Sequence, residues 1–135
     1  MQFLFLFVFL AADCFELGRQ AYNVGDHAHT MQWMKEALER EEKEEVKTVI
    51  RSDILEYLAF STYMQGNVRQ ALKLTSELLE LKPGHQRALG NKIYYEEALR
   101  NSDTQRLGEE EDDAEYSIKK VFLVQISYDM LFIVL

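Results

Sequence analysis

The chain has 135 residues, 47% apolar and 28% charged, with 15 Lys and Arg against 23 Asp and Glu and a formal charge of −8. That composition supports one folded domain with tails and is too apolar for a disordered chain. It offers no basic run to neutralise phosphates, which excludes broad nucleic-acid contact, and its single Cys excludes a disulfide framework or a Cys-based zinc site.

Residues 1–12 form the first segment, apolar without interruption from Phe3 to Ala12. Ten residues are too few to cross a bilayer, which takes about 20. The run reads either as the apolar part of a secretory signal, with Ala11 and Ala12 near a cleavage point, or as an odd N-terminus from an incomplete gene model. No Lys or Arg precedes it, and signals usually run to roughly 15–30 residues.

From Asp13 to Arg100 the apolar positions recur at intervals of three and four, so the chain is expected to be all-α. Five helices are predicted, at 13–23, 27–42, 48–64, 68–81 and 85–100. The same pattern occurs twice: Leu17-Gly18, Ala21-Tyr22 and Gly25-Asp26 match Leu58-Ala59, Thr62-Tyr63 and Gly66-Asn67, each 41 residues on. Met34, Ala37 and Leu38 match Thr75, Leu78 and Leu79 in the same register. Each unit is a helix, a turn and a second helix. Gly25 and Gly66 can take positive φ to end the first helix. Asp26 and Asn67 can then cap the second.

Gly18, Ala59 and Ala71 are small enough to let helices approach closely, and Pro83 stops the fourth helix. Trp33, Met34 and Leu38 are assigned to the core, as is Cys14 as a buried structural thiol. The doubled unit resembles the tetratricopeptide repeat, whose period is about 34 residues. The extra length falls in Arg40–Lys47, where Glu42 replaces a closing Pro and the helix is expected to run on. The architecture expected is two helix pairs and a capping helix in a right-handed superhelix with irregular tails.

Beyond the domain at 13–100, residues 101–120 are expected to be an acidic linker, with six acidic residues among the seven from Glu109 to Glu115. Residues 121–135 are an apolar tail interrupted by Gln125, Ser127 and Asp129. Fifteen residues with an internal Asp argue against a membrane anchor, and no function is attached to this tail.

Catalytic and metal sites are not expected. His27 and His29 lie two apart and point to different faces of a helix. No His-x-Asp pair exists for a two-His, one-carboxylate iron site. Nucleophile candidates lack a base and an orienting partner, and no glycine-rich phosphate loop is present.

A binding surface is expected instead. In a superhelix of helix pairs, the first helix of each pair lines the concave groove. Asp53, Glu56, Phe60 and Tyr63 share one face of the third helix with Tyr57 beside them, and Arg87, Asn91 and Tyr94 share one face of the fifth. Rings alternating with hydrogen-bonding groups suit a proline-rich segment in polyproline II form, whose carbonyls are left free to accept. Taken singly, Tyr57 and Tyr63 are better explained as inter-helix packing, and Arg87 has Glu56 as a ready ion-pair partner. Asn91, in mid-helix, is the position that structure alone explains least.

The stretch from Asp13 to Tyr22, His29-Thr30, Gln32 to Met34, Glu36 to Leu38, Leu55 to Leu58, Gln65-Gly66, Ala71-Leu72, Leu78 to Pro83, and His85 to Ala88 with Gly90-Asn91 resemble the collagen prolyl 4-hydroxylase α-subunit family. The resemblance covers about residues 12–100 and corresponds to the family's peptide-substrate-binding domain. It implies a groove for the Gly-X-Y chain of procollagen, with Tyr57, Phe60 and Tyr94 as the ring platform and Arg87 and Asn91 as polar anchors. Phe60 stands where the family usually has Tyr, Glu56 where it usually has Asp, and His27 and Ala28 replace an aromatic pair.

The resemblance further implies an enzyme of the endoplasmic reticulum lumen that uses Fe2+, 2-oxoglutarate and ascorbate, with protein disulfide isomerase and a second α subunit as partners. Its catalytic domain and N-terminal dimerisation region have no counterpart in these residues, so the chain is expected to be a binding domain on its own, with no cofactor. The alternative is a general repeat scaffold, such as a co-chaperone clamp for acidic C-terminal peptides. The groove positions Phe15, Arg19, Glu56, Tyr57, Arg87 and Asn91 are too aromatic and too acidic for that role.

Overall fold

A computed structural model of the protein describes residues 9–106. The expectations for residues 1–8, the acidic run from Glu109 and the tail at 121–135 lie outside them. The chain divides into two compact units, Met1–Ala98 and Leu99–Leu135.

The first unit holds α1 (Ala11–Asn23), α2 (His27–Lys43), α3 (Arg51–Met64) and α4 (Val68–Leu81). A fifth helix, α5, occupies 86–98. No strand occurs among the described residues, so the all-helical reading holds. Successive helices pack on one another from α1 to α4, and α1 also meets α3.

The two predicted turns have the same construction. Gly25 and Gly66 take φ of 78° and 89°, a region that a Cβ disfavours. Gly25 N–H donates to Tyr22 O at 2.9 Å, and Gly66 N–H to Tyr63 O at 2.8 Å. The Asp26 carboxylate accepts from His29 N–H at 3.0 Å, and Asn67 Oδ1 from Gln70 N–H at 3.1 Å. Equivalent residues 41 apart thus close equivalent helix pairs.

The segment between the repeats departs from the expectation. The second helix does run on to Lys43, but α3 starts at Arg51 instead of 48. Residues 44–50 serve the start of α1. The Glu44 carboxylate accepts the Ala11 N–H at 2.8 Å, and Thr48 Oγ1 accepts the Ala12 N–H at 3.1 Å. These groups have no partner within their own helix. Near-buried Glu41 holds the loop from inside, pairing with Arg51 at 3.0 Å and Lys47 at 3.5 Å.

The core joins Cys14, Met34, Ile54, Leu55, Leu58 and Leu78, with Trp33 and Leu38 packed half-buried against it. Gly18 sits where α1 crosses α2. A Cβ there would stand 2.7 Å from Met34 Cε and 3.2 Å from Trp33 Cβ.

Only residues 99–106 of the second unit are described, and they are helical where a linker was expected from 101. No Gly or Pro interrupts the sequence between Gly90 and Gly108. Thr104 donates to the Arg100 carbonyl at 2.9 Å, and Arg106 pairs with Asp103 at 2.6 Å.

Candidate functional site

The first helix of each pair and α5 bring together Tyr22, Glu56, Tyr57, Phe60, Arg87 and Asn91 around an open cavity of about 210 Å³. Helical spacing sets this arrangement. Glu56 and Phe60 lie four apart on α3, and Arg87 and Asn91 four apart on α5, so each pair shares a face. Buried Leu55, Leu58 and Ala59 hold the opposite side of α3 in the core.

The rings form a connected row. Tyr57 meets Phe15 edge-on at a centroid distance of 5.5 Å and Tyr22 at 5.0 Å. Tyr22 meets Phe60 at 5.9 Å, and Phe60 meets Tyr63 at 6.4 Å. Tyr63 stacks on Tyr95 at 4.7 Å and meets Tyr94 edge-on at 5.8 Å. Edge-to-face pairs at such distances are favourable beyond their buried area.

Tyr63 and Tyr94, both expected in the groove, lie beyond Phe60 and do not line the cavity. The Tyr63 hydroxyl donates to that of Tyr94 at 3.2 Å. That bond holds the Tyr63 proton and raises its pKa. Burial pushes the Tyr95 phenol up to about 12.

Glu56 gathers the charges at the other edge. Its Oε1 lies 2.7 Å from Arg87 Nη2, and its Oε2 lies 3.3 Å from His85 Nε2. The Arg87 side chain remains 79% exposed while that of Glu56 is 24% exposed. Arg87 is therefore an ion-paired rim group, as the simpler sequence reading allowed. Asp53, on the same face of α3, pairs with Lys82 at 3.5 Å.

Tyr22 was not singled out for the groove, although its counterpart 41 residues on is Tyr63 and the repeat register carried that signal. The role of His85 was missed as well, because it depends on where α5 begins. At the first turn, His27 contacts the rings of Tyr22 and Phe60 at 5.6 and 6.0 Å and Ser61 Oγ at 3.2 Å. It restores part of an aromatic rim there.

His29 is engaged by Asp26 at 2.6 Å, so the two histidines of α2 do turn to different partners. Among the described residues no group of three His, Cys, Asp or Glu side chains is placed to hold a metal ion. Burial raises the Cys14 thiol. No described helix is long and apolar enough to cross a membrane. For the co-chaperone alternative, Arg87 is the one cation among the described residues lining the cavity, and it is already paired. Arg19 is paired with Glu16 at 3.0 Å.

A family model described as the prolyl 4-hydroxylase peptide-substrate-binding domain matches residues 11–101. Prolyl 4-hydroxylase subunit alpha-1 of Caenorhabditis elegans is 49% identical over 100 residues, which is 74% of this chain and 18% of that protein. The mouse protein of the same name is 50% identical over 86 residues, 64% of this chain and 16% of its own length. The chicken protein is 41% identical over 117 residues, 82% of this chain and 22% of its own. The chain thus spans about a fifth of the length of these relatives.

Proposed function

The chain belongs to the prolyl 4-hydroxylase peptide-substrate-binding domain family, and from that premise we propose that its ring-lined cavity binds proline-rich segments of the procollagen Gly-X-Y kind. The observation that carries this reading is the placement of Tyr22, Tyr57 and Phe60 with Asn91 around one open cavity. Proline rings pack on the phenol and phenyl faces, and the Asn91 amide donates to a backbone carbonyl that a polyproline II strand leaves free. Such a ligand is already extended, so little conformational entropy is lost on docking.

In this reading the domain selects substrate for procollagen-proline 4-hydroxylation in the lumen of the endoplasmic reticulum, alongside protein disulfide isomerase and a second α subunit. Iron, 2-oxoglutarate and ascorbate serve the hydroxylation step. The described residues hold no donor set that fits the metal, so their part is to bind and orient the peptide.

Calorimetry with a (Pro-Pro-Gly)-repeat peptide tests the proposal. Asn91→Ala and Tyr57→Ala are each expected to weaken binding about tenfold, the scale of one good polar or ring contact. Native affinity in both variants, or equal binding of an acidic C-terminal peptide, overturns it.

A further inference from the structure

His85 makes two contacts that docking of a peptide on the rings does not itself require. It directly precedes the helical stretch beginning at residue 86. The Ala88 N–H donates to its Nδ1 at 3.2 Å, so the imidazole caps α5. An acceptor Nδ1 carries no proton, which leaves the hydrogen on Nε2. That nitrogen faces Glu56 Oε2 at 3.3 Å, while the other carboxylate oxygen holds Arg87 at 2.7 Å. One uncharged ring thereby links the first turn of α5 to the carboxylate on α3 that fixes its neighbour.

We propose that His85 is a positioning residue for the groove: its neutral imidazole secures α5 against Glu56 and so holds Arg87 and Asn91 across from Tyr57. The proposal rests on the groove reading above for its ligand, but its contacts belong to the free protein. The charged group that faces the ring is Glu56 on α3, which also holds Arg87 of α5. Lys82, whose carbonyl accepts the His85 N–H at 3.1 Å, turns its ammonium to Asp53 at 3.5 Å. Protonation places a hydrogen on Nδ1, face to face with the Ala88 N–H. It also adds positive charge at a helix N-terminus, where the macrodipole opposes it. The imidazolium then competes with Arg87 for the same carboxylate. The first two effects loosen the turn that carries Arg87, and the third tightens His85 to Glu56 at the expense of Arg87, so peptide affinity falls with acidity.

Two substitutions separate the contacts. His85→Asn keeps an acceptor where Nδ1 stands but cannot reach Glu56, whereas His85→Gln keeps an amide near Nε2 and gives up the cap. For the native chain and both variants, calorimetry with the (Pro-Pro-Gly) peptide is run from about pH 7.5 to about pH 5. Amide protection factors at Arg87 to Asn91 are followed in the free protein over the same range.

The native chain is expected to lose about three- to tenfold in affinity on acidification, together with protection of the first turn of α5. His85→Asn is expected to bind about threefold more weakly near neutrality, with a flatter pH profile. His85→Gln is expected to lose α5 protection at every pH. A His85→Asn profile that follows the native one in both measurements overturns the inference. If the native chain fails to bind the peptide, the groove reading falls, and the protection profile alone decides: acid loss in the native chain but not in His85→Asn supports the positioning role, and any other pattern defeats it.

Discussion

Tyr63 on α3 and Tyr94 on α5 are joined hydroxyl to hydroxyl at 3.2 Å, 31 residues apart in the chain. The bond ties the far end of the ring row to the helix that carries Asn91. Because Tyr63 donates, removal of its acceptor makes its proton easier to lose. In Tyr94→Phe the Tyr63 phenol is expected to ionise at lower pH, read by ultraviolet titration of phenolate. An unchanged titration curve would show that the bond does not form in solution.

Tyr22 makes a second test of the row, at its repeat-one end. Tyr22→Leu removes ring contacts to Tyr57 and Phe60 and is expected to weaken peptide binding by about 1 kcal/mol, whereas Tyr22→Phe keeps the ring and binds nearly as the native chain. Equal affinities for the two variants would exclude Tyr22 from the groove.

Gly18→Ala tests the crossing of α1 and α2. Met34 Cε can swing aside from the new methyl, but Trp33 Cβ, 3.2 Å away, moves only with its backbone. A loss of about 1–3 kcal/mol is expected by denaturant unfolding, as for other overpacked sites. A midpoint equal to the native one would mean that the two helices separate freely.

Glu44 gives an acid-sensitive contribution. The Ala11 N–H and the Thr48 groups bonded to its carboxylate hold its pKa below the ordinary glutamate range. A depressed carboxyl stabilises the fold above the unfolded-state pKa, about 4.3, and that stabilisation is lost as pH falls through the folded value. Melting temperatures from about pH 6 to about pH 3 should therefore fall less steeply in Glu44→Gln. Asp26 and Glu16, also depressed, keep the slope from vanishing. Parallel curves would assign no such role to Glu44.

Cys14 is fully buried and its thiol is raised by that burial. Thiol reagents need the thiolate, so labelling of the native chain should be slow and become fast only in denaturant. Rapid native labelling would contradict its place on the buried face of α1.

The helix pairs were legible because two strong signals coincide in one register: Gly25-Asp26 with Gly66-Asn67, and the apolar spacing around them. Tyr57, Phe60, Arg87 and Asn91 could be grouped because each pair occupies one helix face. The start of α3 was read three residues early although Thr48, Val49 and Ile50 are all β-branched, because that preference against a helix is weak beside apolar periodicity. What diverts Thr48 is Ala12, 36 residues away, which no local pattern reveals. Tyr22 was hidden by its other duty as a repeat-register residue, and His85 by its dependence on a cap position that periodicity does not resolve.

The loop at 44–50 makes the first helix pair unlike a repeat that can be exchanged. The Ala11 and Ala12 amides at the leading edge of α1 are satisfied from a segment that arrives only after α2 is complete. Splicing in a standard-length unit would delete that strap and expose the leading edge to fraying. Shuffled or shortened versions of the array are therefore expected to fail first at α1, far from the splice.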